Sequence, residues 1–168
     1  MSVVLSAMPA YLRASFQVMF CYRGEIVLWA LWGVVYPTVA MIVWQVAAMD
    51  SKSGHDIRGF GPGEFAAYFL LTMIVSHVST AWDIYEMGYQ VQTGRMATKL
   101  LRPILPIWES IADNIAYKML TLVILVPIWC ILARWAQPQL AAISITQLVC
   151  GVIALLLGAI LSYLWSYN

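Results

Sequence analysis

Long runs of apolar residues alternate with shorter polar segments along most of the chain. Each run is nearly free of charge, and the first exceeds the roughly 30 Å of a bilayer core at about 1.5 Å per helical residue. The second run is less apolar than the others because several hydroxyl residues and a histidine interrupt it. The pattern therefore predicts four transmembrane helices, at residues 26–49, 65–82, 115–133 and 141–165.

A shorter amphipathic helix is predicted before the first span, at residues 8–23. Arg13 and Gln17 lie one turn apart on one face, and the opposite face is apolar. A short helix with one cationic and one apolar face is typical of a membrane surface, and packing against protein is the alternative. The apolar face consists of Leu12, Phe16, Met19 and Phe20.

Composition agrees with a membrane protein. Hydrophobic residues make up 62% of the 168 residues, charged residues only 10%, and the mean hydropathy is +0.81. One aqueous core cannot bury so much apolar surface, so lipid must cover the excess. A net charge of +1 without any basic block gives no reason to expect nucleic acid binding.

Basic residues near the ends of the spans predict the orientation. An N-terminus in the cytoplasm places the larger basic group inside and a smaller group outside, with residues 50–63 as an outer loop and 134–140 as an outer turn. We therefore expect an all-α protein of a cytoplasmic-type membrane with both termini inside. The inner group is Arg13, Arg23, Arg95, Lys99, Arg102 and Lys118, and the outer group is Lys52, Arg58 and Arg134.

Residues 83–113 form an unusually long connection between the second and third spans. The segment is too polar for the bilayer and too apolar for a solvated linker. Gly88 and Gly94 are expected break points. A short helix is expected from Met96 to Leu101, because Pro103 disfavours helical geometry at Arg102. The sequence predicts a rigid cytoplasmic knob, which suits docking to a soluble partner.

The run from Gly94 to Pro103 (GRMATKLLRP) resembles the glycine and Leu-Leu-Arg-Pro pattern of bacterial permeases in the type-2 ATP-binding-cassette exporter superfamily. The Tyr22-Arg23 pair before the first span, the glycine-rich outer loop and the order of elements are also similar. The likeness is greatest to the branch of viologen and multidrug exporter permeases. Such permeases usually carry six spans, and the resemblance implies the bacterial cytoplasmic (inner) membrane. With four predicted spans, either the sequence is a fragment that lacks the last two or the last hairpin comes from elsewhere.

The resemblance implies a function for the knob. In such permeases this loop carries a coupling helix that fits a groove of a cytoplasmic ATPase. The implied roles are apolar anchors for Leu100 and Leu101 and orienting charges for Lys99 and Arg102, with Arg95 and Pro103 bounding the contact. Binding of anionic lipid by the basic residues is the alternative.

The resemblance also implies partners and a cargo. A second permease copy or a paralogue completes the pore, and the exported compounds are small and amphipathic or cationic. We expect no cofactor on this chain, because it has no GxxxxGK[ST] phosphate loop. ATP and magnesium are expected on the partner ATPase.

Polar residues in or near the spans are candidates for the translocation path. His77 lies within the second span, and Asp83 and Glu86 lie one turn apart at its inner end. Ordinary alternatives are a hydrogen bond to a neighbouring helix for His77 and ion pairs with Arg or Lys for the two acids. Lys118 can reach the cytoplasmic headgroups.

A stripe of small residues runs along the fourth span, at Ala154, Gly158 and Ser162. Small residues four apart let a second helix approach closely, and chance in a helix rich in Ala and Gly is the alternative.

Two other classes of protein stay open from the residues alone. A channel or membrane scaffold subunit would use the same helices for assembly without coupling to ATP. A small intramembrane enzyme would need His77 and Asp113 together, but the sequence has no HExxH or GxSxG motif. Cys21, Cys130 and Cys150 include no CxxC pair and are expected to be packing residues.

Overall fold

The computed structural model describes residues 2–50, 57, 59–81, 83–139 and 144–167. Within these ranges the chain forms helices and no strand; a single antiparallel bridge joins Ile57 and Phe60. The helices are α1 (Ser2–Cys21), α2 (Arg23–Met49), α3 (Pro62–Ser79), α4 (Asp83–Gln92), α5 (Arg95–Leu100), α6 (Ile107–Ala136) and α7 (Ile145–Tyr167).

Three of the described helices are long and apolar enough to cross a membrane: α2, α6 and α7. The helix predicted as the second span, α3, is not among them. Polar residues at its two ends, including Glu64 and His77, lower its mean hydropathy. It contacts α2, α6 and α7, while Tyr68, Leu71 and Val75 on its open face stay exposed.

The core lies where α2, α3 and α6 meet. Met41 of α2 and Met73 of α3 are almost completely buried, and Leu125 of α6 packs in the same cluster. Ala66 and Ala136 complete the contact, since small side chains let helices approach closely. Many large apolar side chains point outward instead, including Trp32 and Leu161, as expected for surfaces covered by lipid.

Hydrogen bonds show which helix ends share a side of the bundle. Gln45, near the end of α2, donates from Nε2 to the carbonyl of Pro62 at 3.1 Å and to that of Ala136 at 3.3 Å. The Gln139 amide donates to the carbonyl of Gly63 at 2.9 Å. The end of α2, the start of α3 and the end of α6 therefore lie together.

The other helix ends meet on the opposite side. Tyr163 of α7 reaches the carbonyl of Ile107 at the start of α6, at 3.4 Å, and Ser166 reaches the carbonyl of Ala81, just after α3, at 3.5 Å. Consecutive long helices thus run in opposite directions, and α4 and α5 lie at the end formed by the start of α6 and the end of α7.

Several boundaries differ from those predicted. The first helix begins at Ser2 rather than residue 8, with Pro9 in its interior. The third starts at Pro62, because Pro suits a first helical position and Glu64 accepts the Gly61 amide at 3.0 Å. Helix α6 begins at Ile107, so its first two turns occupy the end of the predicted coupling region, 83–113.

Some predicted features lie outside the described residues. These are the outer cations Lys52 and Arg58, the end of the predicted second span at Trp82, and residues 141–143 of the predicted fourth span.

Candidate functional site

The predicted knob is a short helix between two backbone breaks. Gly94 adopts a left-handed conformation with φ of 72°, which glycine tolerates without steric cost, and this residue separates α4 from α5. Helix α5 ends at Leu100, one residue earlier than predicted, and Pro103 and Pro106 follow before α6 begins. The turn around α5 is therefore defined at both ends by residues with restricted or special backbone geometry.

The two predicted anchor residues protrude from this turn. Leu100 is 64% exposed and Leu101 is 87% exposed. Arg95, at the start of α5, is also exposed. The two adjacent leucines form a small apolar surface at the tip of the turn.

The two predicted orienting charges are instead held by α6. Glu109 accepts the Lys99 ammonium on Oε1 at 3.1 Å and the Arg102 guanidinium on Oε2 at 3.3 Å. The side chain of Lys99 is only 16% exposed, whereas that of Arg102 is 51% exposed. One carboxylate in the first turn of α6 thus joins the helix to both ends of the Lys99–Arg102 segment.

Sequence reasoning missed Glu109, although one signal was available. An acidic residue in the first turn of a helix is favoured by the helix dipole. Glu109 also lies only a few residues beyond Pro103 and Pro106, which turn the chain back toward α5.

His77 and Glu86, the two predicted path residues whose side chains are described, lie on different helices and contact different groups. His77 places its Nε2 3.4 Å from the carbonyl oxygen of Lys118, and its ring packs edge-on against Trp129. This geometry agrees with the ordinary alternative, a histidine bonded to a neighbouring helix. Lys118 donates from Nζ to the carbonyl of Val78 at 2.5 Å, so it contacts the end of α3.

Of the two predicted acidic residues at the inner end of the second span, only Glu86 has a described side chain. Asp83 begins α4, but its side chain lies outside the described part of the structure. Glu86 accepts a hydrogen bond from Gln90 Nε2 at 2.8 Å rather than an Arg or Lys side chain. The small-residue stripe on α7 is open at Ala154 and Gly158 and half-buried at Ser162.

A cavity of about 480 Å³ lies beside the knob, between α1, α2, α4, α5 and α6. Its volume is within the range of small-molecule sites, and sequence reasoning did not find it because five separate segments form it. Aromatic and methionine side chains make up much of the wall, namely Tyr22, Trp29, Tyr117, Met19, Met87 and Met96.

Charged side chains in the wall are mostly acidic. Glu25, Glu86 and Asp113 supply carboxylates, and Lys99 supplies an ammonium group that is already paired with Glu109. Within the part of the chain that the structure describes, neither Glu25 nor Glu86 forms an ion pair: Glu25 accepts from Trp29 Nε1 at 3.3 Å, and Glu86 from Gln90. The cavity therefore carries uncompensated negative charge.

Asp113 also connects the first helix to the bundle. It accepts a hydrogen bond from Ser15 Oγ at 2.5 Å, and Ser15 is 5% exposed although it lies on a helix predicted to be interfacial. Helix α1 packs along α6, as the protein-packed alternative requires, while Arg13 and Gln17 stay exposed.

The fold defines a multi-pass helical membrane protein with a structured turn at one end of its bundle. A model of the family described as "ABC-2 family transporter protein" matches residues 34–168, from within α2 to the end of α7. The match covers most of the chain, so the protein belongs to this family of ATP-binding-cassette transporters. The chain matches no curated protein and no solved structure.

Membership fixes the general role of the chain. It is a membrane permease subunit of an ATP-binding-cassette exporter and not itself the ATPase. The family in general implies an ATP-binding-cassette partner.

Proposed function

We propose that the chain forms part of the translocation path of an ATP-driven exporter and is coupled to a separate cytoplasmic ATPase through α5. The observation that carries the proposal is the pair of exposed leucines, Leu100 and Leu101, at the tip of a turn braced by Gly94 and Pro103. Apolar side chains on a structured turn gain free energy by burial in a partner and need little ordering to bind.

The ion pairs of Glu109 support a coupling role for the same turn. Because Glu109 holds Lys99 and Arg102, a force applied to Leu100 and Leu101 is passed to the start of α6. Helix α6 runs from this turn to Ala136 at the far side of the bundle. ATP-dependent movement of the partner would thus bias one long helix between two positions.

The distribution of charge supports a cytoplasmic location for the turn. Arg13, Arg95 and Arg102 belong to the end of the bundle that holds α1, α5 and the start of α6, whereas Arg134 lies near the opposite end. Cationic residues are retained on the cytoplasmic side, so both termini are inside. This orientation requires that α3 crosses the membrane as a fourth span, in contact with α2, α6 and α7.

Two further parts of the proposal concern assembly and cargo. The open face of α7 around Gly158 is where a second permease copy or a paralogue would pack. The cargo is a small amphipathic or cationic compound, in keeping with the resemblance to the viologen and multidrug branch. The membrane is the bacterial inner membrane, with ATP and magnesium bound by the partner.

Co-purification of the ATPase tests the docking assignment. Replacing both leucines, Leu100→Asp and Leu101→Asp, should reduce recovery of the nucleotide-binding partner at least about tenfold, because two charges cannot enter an apolar groove. Val91→Asp, which places a charge at an exposed position of α4, is the matched control and should leave recovery unchanged. Full recovery with the double variant, at normal membrane insertion, would exclude α5 as the docking element.

A channel or scaffold subunit is the alternative outcome of the same experiment. No nucleotide-binding partner would then co-purify with the unaltered protein, whatever stands at positions 100 and 101.

A further inference from the structure

We infer that the cavity beside α5 is a binding site for an organic cation with an apolar, aromatic body. This inference rests on the proposed export function and names the place where the cargo is first held. The starting observation is geometric: a cavity of about 480 Å³ has walls of aromatic rings and methionines, and its ionisable groups are mainly carboxylates.

The charges of the wall select the sign of the ligand. Glu25 and Glu86 receive hydrogen bonds from Trp29 and Gln90, which are neutral donors, and neither forms an ion pair with a described residue. The positive charge of Lys99 is directed to Glu109. A cation in the cavity would therefore compensate these two carboxylates, whereas an anion would be repelled.

The aromatic side chains select the shape and chemistry of the ligand. Trp29 is 49% exposed, and its Nε1 bond to Glu25 keeps the indole ring next to that carboxylate. Tyr22 and Tyr117 add two further rings to the wall. Ring faces attract organic cations and also cover flat apolar groups, so a carboxylate beside an indole is well suited to an aromatic cation.

The carboxylates are too dispersed for a bare metal ion. Among the residues that the structure describes, no three His, Cys, Asp or Glu side chains form a group that could hold one. Methionines add flexible and polarisable surface that adapts to ligands of different shape. The lining therefore suits an extended organic molecule rather than an inorganic cation.

The location of the cavity links occupancy to the coupling turn. Met96 and Lys99 belong to α5, and Pro106 and Ser110 belong to the segment that α5 is tied to. Glu25 and Trp29 belong to α2, which crosses the bundle. If the ATPase moves α5, the part of the cavity wall that α5 forms would move relative to the part that α2 forms. A ligand in the cavity would contact both parts.

Binding of ethidium, an aromatic monovalent cation, tests the site. The intact protein is placed in phosphatidylcholine nanodiscs, and ethidium fluorescence anisotropy is measured against empty nanodiscs. Glu25→Gln and Glu86→Gln should each weaken binding about three- to tenfold, and the double variant should weaken it further. Glutamine keeps the acceptor that Trp29 or Gln90 uses, so these variants retain the local hydrogen bonds.

Matched variants separate the charge from its position. Asp50→Asn removes the same charge at the end of α2, on the opposite side of the bundle, and should leave the affinity unchanged. Trp29→Leu removes the ring and keeps every carboxylate, and it should weaken ethidium about two- to tenfold. An affinity for ethidium that is equal in the double glutamine variant and in the unaltered protein would overturn the inference. Equal binding of the anionic dye anilinonaphthalene sulfonate would also overturn it.

The experiment distinguishes this site from the proposed function. Ethidium binding is measured without ATP or ATPase, and the Leu100→Asp, Leu101→Asp variant should retain it. If the ATPase never co-purifies but the carboxylate variants lose ethidium, the site stands and the export mechanism fails. If the ATPase docks through Leu100 and Leu101 but the glutamine variants at Glu25 and Glu86 bind ethidium as tightly as the unaltered protein, the site fails and the docking assignment stands.

Discussion

The ammonium group of Lys99 lies 3.1 Å from Glu109 Oε1, so a residue of the coupling turn is tied to the first turn of the longest helix. The second oxygen of the same carboxylate accepts Arg102. This arrangement gives the turn two surfaces: Leu100 and Leu101 are exposed, and Lys99 and Arg102 bind α6. Docking and transmission of movement are thereby assigned to different side chains.

Removal of the charge on Glu109 should loosen α5 without abolishing docking. Partly exposed ion pairs contribute about 0.2–1 kcal/mol each. In Glu109→Gln we therefore expect amide hydrogen exchange of residues 95–102 to rise about two- to tenfold, measured by mass spectrometry on the protein in nanodiscs. Glu109→Asp keeps the charge, so its exchange rate in residues 95–102 should lie between those of the unaltered protein and Glu109→Gln.

Transport should respond more strongly than docking to the same change. Recovery of the ATPase with Glu109→Gln should stay near that of the unaltered protein, because Leu100 and Leu101 remain exposed. ATP-driven export should fall because α5 moves without α6. Unchanged exchange in residues 95–102 would contradict a bracing role for Glu109.

The orientation of the bundle predicts which engineered cysteines react from outside the cell. Leu101→Cys, at the tip of the coupling turn, should react with a membrane-impermeant maleimide only after the cells are opened. Gly59→Cys, in the segment before α3, should react in intact cells. The native Cys21, Cys130 and Cys150 are exposed and must be replaced first. Labelling of Leu101→Cys in intact cells would reverse the orientation and exclude docking to a cytoplasmic ATPase.

The long elements and the turn could be predicted from sequence because their signals are local. Uncharged runs marked α2, α6 and α7, and Gly94 with Pro103 marked the limits of α5. The cavity could not be predicted in this way. Its wall combines Glu25, Glu86 and Asp113 from three helices, and only the packing of these helices brings the three side chains around one space.

Burial of the first helix illustrates the same limit. Its amphipathic pattern describes Arg13 and Gln17 correctly as exposed, but a serine among apolar residues gives no sign of its partner 98 positions away. The Ser15 hydroxyl bonds the Tyr11 carbonyl within its own helix and Asp113 across the contact with α6, and only the second bond is a tertiary one. The hydrophobic periodicity of α1 predicts which face is apolar, but only the tertiary structure shows that this helix packs against α6.

Loss of the Ser15 hydroxyl should weaken the packing of α1 against α6. The bond joins a buried hydroxyl to a carboxylate, and hydrogen bonds to charged groups contribute about 1.5–3 kcal/mol. We expect Ser15→Ala to lower the thermal unfolding temperature in detergent and to increase proteolysis of α1. Gln17→Ala, at an exposed position of the same helix, serves as the control. Equal unfolding temperatures for Ser15→Ala and the unaltered protein would contradict the contribution of this bond.

Lys118 should act as a cap for α3. Its Nζ donates to the carbonyl of Val78 at the end of that helix, where carbonyl groups lack partners within the helix and a positive charge is favoured by the dipole. Lys118→Met keeps the length of the side chain but removes the donor, and we expect a lower unfolding temperature. Lys118→Arg should restore part of the loss, and equal stability of the Met and Arg variants would contradict the capping role.

Gly63 and Gln139 lie so close together that adding a single methyl group at position 63 should destabilise the fold. A Cβ at position 63 would lie 2.5 Å from Gln139 Cγ and 2.9 Å from its Cβ, and the Gln139 amide is held by the Gly63 carbonyl at 2.9 Å. Since the backbone bond limits how far Gln139 can retreat, Gly63→Ala should separate the start of α3 from the end of α6 and lower the unfolding temperature. At Gly151 an added Cβ meets nothing within 4 Å, so Gly151→Ala should be neutral or stabilising. Adding Gln139→Gly to Gly63→Ala should recover much of the lost stability, because it removes the atoms that the new methyl group contacts. A double variant no more stable than Gly63→Ala would show that the destabilisation arises elsewhere.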